Sequence, residues 1–284
     1  MSHADARYLA AKRTVDDRAL DRRVRERLLA ELPAEPRILE AGAGTGVTVP
    51  RLRDWGLTAG SYRGVDRDAG IVDHARERRA AECGGTPTGD GFRVDDLSVT
   101  FEQGDALAAF DGERADLVVA QAFVDLVPVE DALDAFTDAL VPGGLVYAPI
   151  TFDGETIFQP DHPADESVIE AYHDHIDSSP GRDARAGRHL LDRCRARPGE
   201  LLAVGASDWV VHPHDGGYPA DERYFLARIL DFVADAVEGT GDEADAWLRT
   251  RRQQLDAGEL SYVAHGYDVL YRVPAEAEDG DSRR

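Results

Sequence analysis

The sequence predicts an α/β fold, a mostly parallel sheet with helices on both faces. Short apolar runs typical of buried strands alternate with helical stretches through the first half of the 284 residues. A glycine-rich turn follows the first apolar run, at the edge where a parallel sheet binds its ligands. Hydrophobic residues make up 43% of the chain, which is enough for a packed core at this length.

The elements of the first half follow in a regular order. One long helix is predicted at residues 5–32, and the prolines in segment 32–36 end it. The predicted strands are residues 37–41, 62–66, 94–102, 115–120 and 145–151. The predicted helices between them include residues 47–55 and 69–83, and the composition of residues 84–91 predicts a loop.

The pattern is looser after residue 152. Residues 153–180 are rich in Asp, His, Pro and Ser, with one helix expected within them. The helices predicted in this half are residues 165–176, 182–197, 224–237 and 243–256, and the strands are residues 201–211 and 261–273. The charged tail 274–284 is predicted to be disordered.

The charge of the chain excludes some partners. There are 55 acidic and 32 basic side chains, a net charge of −23, and Lys12 is the single lysine. Nucleic acid is not expected to bind, because phosphate recognition needs a basic surface. An acid excess with almost no lysine favours a protein adapted to concentrated salt. A GC-rich genome would explain the arginines but not the 55 acids.

Membrane, disulfide and metal functions are not expected. No stretch approaches 18 uninterrupted apolar residues, and the first residues lack the apolar segment of a secretory signal. We therefore expect a cytoplasmic protein, either a monomer or a homodimer, with no membrane partner. Cys83 and Cys194 are too few for a disulfide framework or a four-cysteine zinc site, and His212 and His214 lack evident further ligands.

The most informative motif is EAGAGTG at residues 40–46, between the first predicted strand and its helix. Its three glycines let the backbone approach a ligand closely. A dinucleotide fingerprint would have its third glycine at position 47, where the chain has Val47. Glu40, at the strand end, suits a cationic ligand, so the motif favours S-adenosylmethionine over NAD.

Polar residues also follow the next three strands. Asp66 lies 20 residues beyond Gly46, where a carboxylate can accept the hydroxyls of a ribose, and Asp68 is available to cap the next helix. Asp105 follows the third strand, where it can accept an adenine amino group. The candidate cofactor contacts at these strand ends are Asp66, Arg67, Asp105, Ala106 and Gln121.

These elements, in this order, resemble the class I S-adenosylmethionine-dependent methyltransferases over residues 36–152. The first motif of that family is matched by Glu40, Gly42, Gly44 and Gly46, its ribose-binding acid by Asp66 and its adenine-side acid by Asp105. The resemblance implies S-adenosylmethionine as cofactor and a Rossmann-like, seven-stranded sheet. It also implies that the last strand, within residues 261–273, is antiparallel.

The resemblance also suggests how the chain is divided and what it methylates. The expected regions are an N-terminal helical lid (1–35), the cofactor-binding core (36–152), an insertion or substrate cap after strand five (153–200), the C-terminal part of the core sheet (201–273) and the tail (274–284). Strand four ends in Gln-Ala-Phe, without the Asn/Asp-Pro-Pro-Tyr/Phe motif of many base and amide methylases. The additions resemble those of small-molecule enzymes, so we expect a small-molecule acceptor.

The residues that would contact the acceptor are less well defined. Phe123, Phe152 and Tyr172 are candidates for the pocket wall, whereas Trp209 and Tyr262 are predicted to belong to the core. His173 and His175 are weak candidates for a general base. We also expect the helix around residues 8–20 to cross the cofactor end of the sheet, with Arg13 or Lys12 reaching the cofactor carboxylate.

Two other functions stay open at this point. A non-catalytic protein could keep the cofactor pocket without chemistry, since the sequence contains no convincing base or metal site. An NAD-dependent oxidoreductase is disfavoured by Val47 and by the absence of the Tyr/Lys pair of short-chain enzymes.

Overall fold

The computed structural model describes residues 5–275 and is built on one mixed sheet. The strands are β1 (Arg37–Ala41), β2 (Ala59–Asp66), β3 (Thr86–Pro87), β4 (Gly91–Val94), β5 (Asp96–Gln103), β6 (Ala115–Val119), β7 (Leu140–Gln159), β8 (Glu200–Ala206), β9 (Trp209–Val211) and β10 (Ser261–Arg272). Their order is β3-β4-β5-β2-β1-β6-β7-β10-β8, and β9 pairs with β10 beside this path.

The predicted fold class is confirmed, and the strand count is extended. Strands β5, β2, β1, β6 and β7 are parallel, while β10 is antiparallel to β7 and β8, as expected for the last strand. Seven strands from β5 to β8 form the expected sheet. The hairpin of β3 and β4 extends its edge, and β9 adds a short strand, which makes ten within the described residues.

Helices cover both faces of the sheet. They are α1 (Ala6–Ala19), α2 (Arg22–Glu31), α3 (Thr48–Asp54), α4 (Ala69–Cys83), α5 (Ala106–Ala109), α6 (Val129–Asp138), α7 (Asp165–Ser178), α8 (Ala186–Ala196), α9 (Glu222–Ala236) and α10 (Asp242–Ala257). One core cluster lies under α6 and α8, and another under α2, α3 and α4. A third joins α1, α7, α9 and α10 to β9 and β10.

The single helix predicted at residues 5–32 is wrong, because the chain breaks at Leu20 and Asp21. The Asp21 side chain accepts hydrogen bonds from the backbone N–H groups of Arg23, at 2.8 Å, and Val24, at 3.0 Å. This N-cap marks the start of α2, which packs on one face of the sheet. The first helix, α1, packs instead against α9 and β9.

Strand β7 is longer than predicted. It continues eight residues beyond position 151 and pairs with β10 as far as Gln159 and Ser261. Thr156 and Phe158 are buried whereas Ile157 and Gln159 are exposed, an alternation typical of a strand with one covered face. Residues 153–159 therefore belong to the sheet and not to the expected insertion.

Two further predictions need correction. The loop expected at residues 84–91 contains β3 and leads into β4, and the two form a hairpin. The strand expected at residues 201–211 is interrupted at Ser207, whose N–H donates to the Gly266 carbonyl at 2.8 Å, and it continues as β9. Of the predicted tail, residues 276–284 lie outside the described part of the chain. Within residues 5–275, no helix has both the length and the apolarity to cross a membrane.

Candidate functional site

The glycine turn between β1 and α3 forms the base of the site. Gly42, Gly44 and Gly46 have φ angles of +66°, +52° and +72°, in the region where only glycine is unstrained. A Cβ atom at Gly42 would lie 2.5 Å from the Phe123 ring, and one at Gly46 would lie 2.5 Å from Phe101. At Gly44 the nearest side-chain atom, on Leu9, would be 3.5 Å away. Gly44 is therefore the glycine that leaves space for a ligand.

A cavity of about 500 Å³ opens beside this turn. It is bounded by the carboxyl ends of β1, β2 and β6 and by side chains of α1, α7 and α9. The predicted cofactor contacts that line it are Glu40, Gly42, Gly44, Asp66, Arg67, Ala106 and Gln121. Gly46, Asp105 and Arg13 are not part of its lining.

Glu40 is held rigidly at the end of β1. Its side chain is 3% exposed and accepts hydrogen bonds from the Thr48 hydroxyl, at 2.7 Å, and from the Tyr62 hydroxyl. Burial raises the pKa of the Glu40 carboxyl to about 7, against the opposing effect of these two hydrogen bonds. The group can therefore hold either a proton or a negative charge near neutral pH.

Asp66 organises the turn on the neighbouring strand. One carboxylate oxygen accepts the N–H of Gly44 at 2.9 Å, and the other accepts the N–H of Asp68 at 3.0 Å. Asp68 caps α4 by accepting the N–H of Ile71 at 3.0 Å, as predicted from the sequence. Asp66 is thus fixed at the cavity without serving as the helix cap.

Asp105 has a local structural role beside the cavity. Its side chain caps α5 by accepting the N–H of Leu107 at 3.1 Å, and Arg67 donates to it at 2.7 Å. The neighbouring Ala106, which is buried, lines the cavity. The structure thus brings Arg67 and Asp105 together at the rim.

A buried polar network fastens α1 to the site. Asp16, 3% exposed, accepts hydrogen bonds from Trp209 Nε1 at 2.9 Å and from Gln121 Nε2 at 3.1 Å. Arg51 of α3 donates to the side-chain amide oxygen of Gln121 at 2.6 Å and to the Asp17 carboxylate at 2.5 Å. Gln121 follows β6, and Arg51 lies in the helix that follows β1. The network therefore joins α1 to the segments that follow these two strands.

The two cations of α1 point in different directions. Lys12 is 8% exposed, lies 3.5 Å from Asp16 and 5.0 Å from the centre of the Trp209 ring, and lines the cavity. Arg13 instead pairs with Glu82 at 2.6 Å and with Asp17 at 3.8 Å. The structure brings Lys12 to the site and does not bring Arg13 there.

The predicted pocket wall and the predicted bases separate in the same way. Phe123, Phe152 and Tyr172 all line the cavity, whereas His173 and His175 do not. The ring of His173 packs edge-on against Phe152, and its Nε2 lies 3.1 Å from the Thr156 hydroxyl. Burial lowers the pKa of His173, so its neutral form is favoured.

Sequence reasoning missed much of the far side of the cavity. Trp209 and Tyr262, predicted to be core residues, pack in the core and also line the cavity. The other lining residues not identified beforehand include Tyr8, Leu9, Asp16, Asp125, Arg182, Ile229 and Phe232. A usable signal existed for Asp125, an acid in the segment that follows a predicted strand, but none singled out the residues of α9.

Within the described residues, no group of three or more His, Cys, Asp or Glu side chains is arranged to hold a metal ion.

Residues 38–144, from β1 to the first residues of β7, match the family described as a methyltransferase domain. This match agrees with the resemblance to class I S-adenosylmethionine-dependent methyltransferases that the sequence shows. Methyl transfer from S-adenosylmethionine is the activity with which this match is consistent. The match covers the glycine turn, Asp66, Asp105 and Gln121, which are the segments identified from the sequence.

A solved structure shares the fold of this chain, and two others resemble it less closely. A candidate methyltransferase from Bacillus halodurans C-125 is 15% identical, with a TM-score of 0.55 over 89% of this chain and 99% of its own. S-adenosylmethionine-dependent methyltransferases from Thiobacillus denitrificans and Geobacter sulfurreducens, both in complex with S-adenosylhomocysteine, are 19% and 17% identical. They cover 89% of this chain and 92% and 91% of theirs, each with a TM-score of 0.49. No protein with a curated description matches the sequence.

The residues of the cavity fit S-adenosylmethionine in charge. Gly44 leaves the turn open where a Cβ atom would occupy ligand space, and Glu40 and Asp66 provide carboxylates beside it. These acids suit a ligand with a sulfonium, an amino group and ribose hydroxyls.

Proposed function

We propose that the protein transfers the methyl group of S-adenosylmethionine to a small molecule bound in the part of the cavity that aromatic side chains line. The observation that carries this proposal is the composition of that part, where aromatic side chains from α1, α7, β7, β9 and α9 surround the space. They are Tyr8, Tyr172, Phe152, Trp209 and Phe232. A pocket walled by separate elements of one chain suits a small apolar molecule better than a polymer.

The cofactor contacts follow from the strand ends. Asp66 would accept the ribose hydroxyls, and the backbone around Gly44 would lie against the methionine portion. Glu40, when ionised, would attract the amino group. The adenine would lie between Ala106 and the rim formed by Arg67 and Asp105, where the Asp105 carboxylate is available to the adenine amino group.

The helix α1 would act as a lid that closes over the bound cofactor. Its buried network with Gln121 and Trp209 supports a closed position that excludes water. Lys12 lies where it could pair with the cofactor carboxylate, which the glycine-turn amides would also contact. Residues 160–200, which include α7 and α8, would form the cap over the acceptor.

When bound, S-adenosylmethionine supplies an electrophilic methyl group on a positively charged sulfur. The protein's contribution is to orient the acceptor nucleophile in line with the methyl–sulfur bond and to exclude water. Phe123, which packs on Gly42, and Phe152 are placed to hold an acceptor against the cofactor side of the cavity.

The proposal is tested by binding and turnover together in molar salt. Calorimetry should detect S-adenosylhomocysteine binding and no competing affinity for NAD. A panel of small hydroxyl, amine and thiol compounds, scored by S-adenosylhomocysteine release, should contain methylated members. Tight cofactor binding with methylation of protein or nucleic acid only would refute a small-molecule acceptor.

A further inference from the structure

Asp125 stands out among the charged groups of the cavity. It lies in the short 3-10 helix Val124–Leu126 after β6 and lines the cavity. Its Oδ1 is shielded from solvent and has no hydrogen-bond partner, and the carboxylate accepts only its own backbone N–H. No ion pair involves Asp125 within residues 5–275, although most acids near the site are paired or capping.

A carboxylate oxygen that is shielded from water and has no hydrogen-bond donor is costly for the fold alone. Burial raises the pKa of Asp125, which is the expected result when no donor compensates for the lost hydration. The cost is removed when a ligand supplies a donor. Asp125 is therefore placed to bind a hydrogen-bond donor of the acceptor.

Three tyrosine hydroxyls of the cavity also lack a hydrogen-bond partner among the described residues. The hydroxyls of Tyr8, Tyr172 and Tyr262 make no hydrogen bond to any other described residue, and all three tyrosines line the cavity. Tyr8 and Tyr172 interact electrostatically with Asp125, and Tyr172 also with the other two tyrosines. Polar groups left open toward one space define the position of a polar group on the ligand.

The cations near Asp125 favour one kind of hydrogen-bond donor on the acceptor over another. Lys12 and Arg182 both favour the ionised form of Asp125, and Asp183 opposes them. Arg182 lines the cavity, and its side chain makes no ion pair or hydrogen bond within the described part of the chain. Two cations beside the carboxylate disfavour a protonated amine and stabilise negative charge that develops on an oxygen.

We propose that Asp125 is the catalytic base for a hydroxyl acceptor carried on an apolar, ring-sized molecule, a proposal that rests on the function given above. The hydroxyl proton passes to the Asp125 carboxylate as the oxygen forms its bond to the methyl carbon. The methyl–sulfur bond breaks with its electron pair left on sulfur, which yields S-adenosylhomocysteine. Asp125 then releases the proton to water, so the products are a methyl ether, S-adenosylhomocysteine and one proton.

The first test is binding of phenol and anisole to the S-adenosylhomocysteine complex, by calorimetry in molar KCl. The two probes differ in the donor hydrogen, so the wild type should bind phenol about tenfold more tightly or better. Asp125→Ala should remove this preference. The matched control is Asp131→Asn, which should keep the preference, because Asp131 is an exposed acid on α6 with no partner among residues 5–275.

The second test is methyl transfer to phenol, aniline and thiophenol. The hydroxyl probe should be the preferred acceptor, and Asp125→Asn should lower kcat for it by about 10²–10⁴-fold with little change in KM or in S-adenosylhomocysteine affinity. The acidic limb of the wild-type kcat/KM profile should be absent in D125N. Melting curves check folding, and Asp125→Ser is the second variant if D125N is unstable.

The outcomes separate the two proposals. Equal binding of phenol and anisole to the wild type, including no binding of either, overturns the role of Asp125, as does full kcat in D125N or a preference for aniline or thiophenol. Failure of the wild type to bind S-adenosylhomocysteine would instead overturn the proposed function from which this inference starts.

Discussion

Glu40 illustrates how one side chain is prepared for a charged ligand. The glycine turn, Tyr62 and Thr48 enclose it so completely that its ionised form is disfavoured in the free protein. A cationic amino group beside the carboxylate would reverse that preference. Binding and ionisation of Glu40 are therefore coupled.

This coupling predicts that cofactor binding depends on pH. The pKa of Glu40 is about 7 in the free protein, and a bound ammonium lowers it. S-adenosylhomocysteine affinity should therefore rise as pH increases from about 6 to about 8, with release of up to one proton. Calorimetry in two buffers of different ionisation enthalpy measures that release. Glu40→Gln should bind more weakly and release no proton. Equal proton release by the wild type and E40Q would contradict the assignment.

The same shift has a consequence for the free protein. The pKa of Glu40 rises from 4.5 to about 7 on folding, so the native state holds a proton that the unfolded state has lost between those values. The contribution of Glu40 to stability is thus largest at low pH and falls as pH rises through 7. The unfolding free energy of the wild type minus that of E40Q should therefore fall by about 1–3 kcal/mol between about pH 5 and about pH 8, measured by denaturant unfolding at constant salt.

Asp66 combines a ligand contact with a structural one. Asp66→Ala should weaken S-adenosylhomocysteine binding by about 1–3 kcal/mol, since the ribose hydroxyls lose their acceptor. The substitution also frees the N–H groups of Gly44 and Asp68, so part of the loss reflects a looser turn. Asp66→Asn keeps one carbonyl oxygen for these donors and should show a smaller loss. Unchanged affinity in a folded D66A protein would remove Asp66 from the site.

At the scale of elements, α1 offers a direct comparison between neighbouring cations. Lys12 faces the cavity, while Arg13 is paired with Glu82. Lys12→Gln should weaken S-adenosylhomocysteine binding about three- to tenfold because the cofactor carboxylate loses a positive partner. Arg13→Gln is the matched control and should bind normally. The reverse ranking of the two variants would place Arg13, not Lys12, at the cofactor.

The elements that sequence reasoning identified are those with strong local signals. The glycine turn, Asp66 and the strands of the parallel core follow from periodicity and spacing, and so does the Asp68 cap. The length of β7 does not, because Asp153 and Glu155 are polar in sequence. Asp153 is buried only because Arg188 of α8 supplies several hydrogen bonds, a contact between distant segments.

The aromatic wall of the proposed acceptor site could not be predicted from the sequence, for a related reason. Tyr8, Trp209 and Tyr262 are far apart in the chain, and each reads as an ordinary core residue. Tyr8 and Trp209 meet on the ring of Phe225 in α9, as does Tyr262, so their shared surface exists only after α1, β9 and α9 pack together. A pocket assembled from three separate segments leaves no periodic signal in any one of them.

At the scale of the whole molecule, the charge balance governs stability. Arginines form many ion pairs, such as Arg63 with both Glu102 and Glu113, yet the 55 acids outnumber the 32 bases. Several exposed acids, among them Asp131, Glu166 and Glu238, have no partner among the residues described. Salt weakens the ion pairs and the repulsion alike, so the sign of the net effect follows the excess of negative charge.

The melting temperature should therefore fall as KCl is lowered from molar to millimolar concentration. At about 1 M the Debye length is roughly 3 Å and repulsion between surface acids is screened, whereas at about 0.01 M it extends over roughly 30 Å, across much of the molecule. With a net charge of −23 the repulsion then acts on the folded state as a whole. Calorimetry across a KCl series measures the effect. A variant that combines Asp131→Asn, Glu166→Gln and Glu238→Gln should show a weaker dependence of melting temperature on KCl. It removes three negative charges but none of the ion pairs found among the described residues. A wild-type melting temperature that stays constant over the series would show that the acid excess does not serve adaptation to salt.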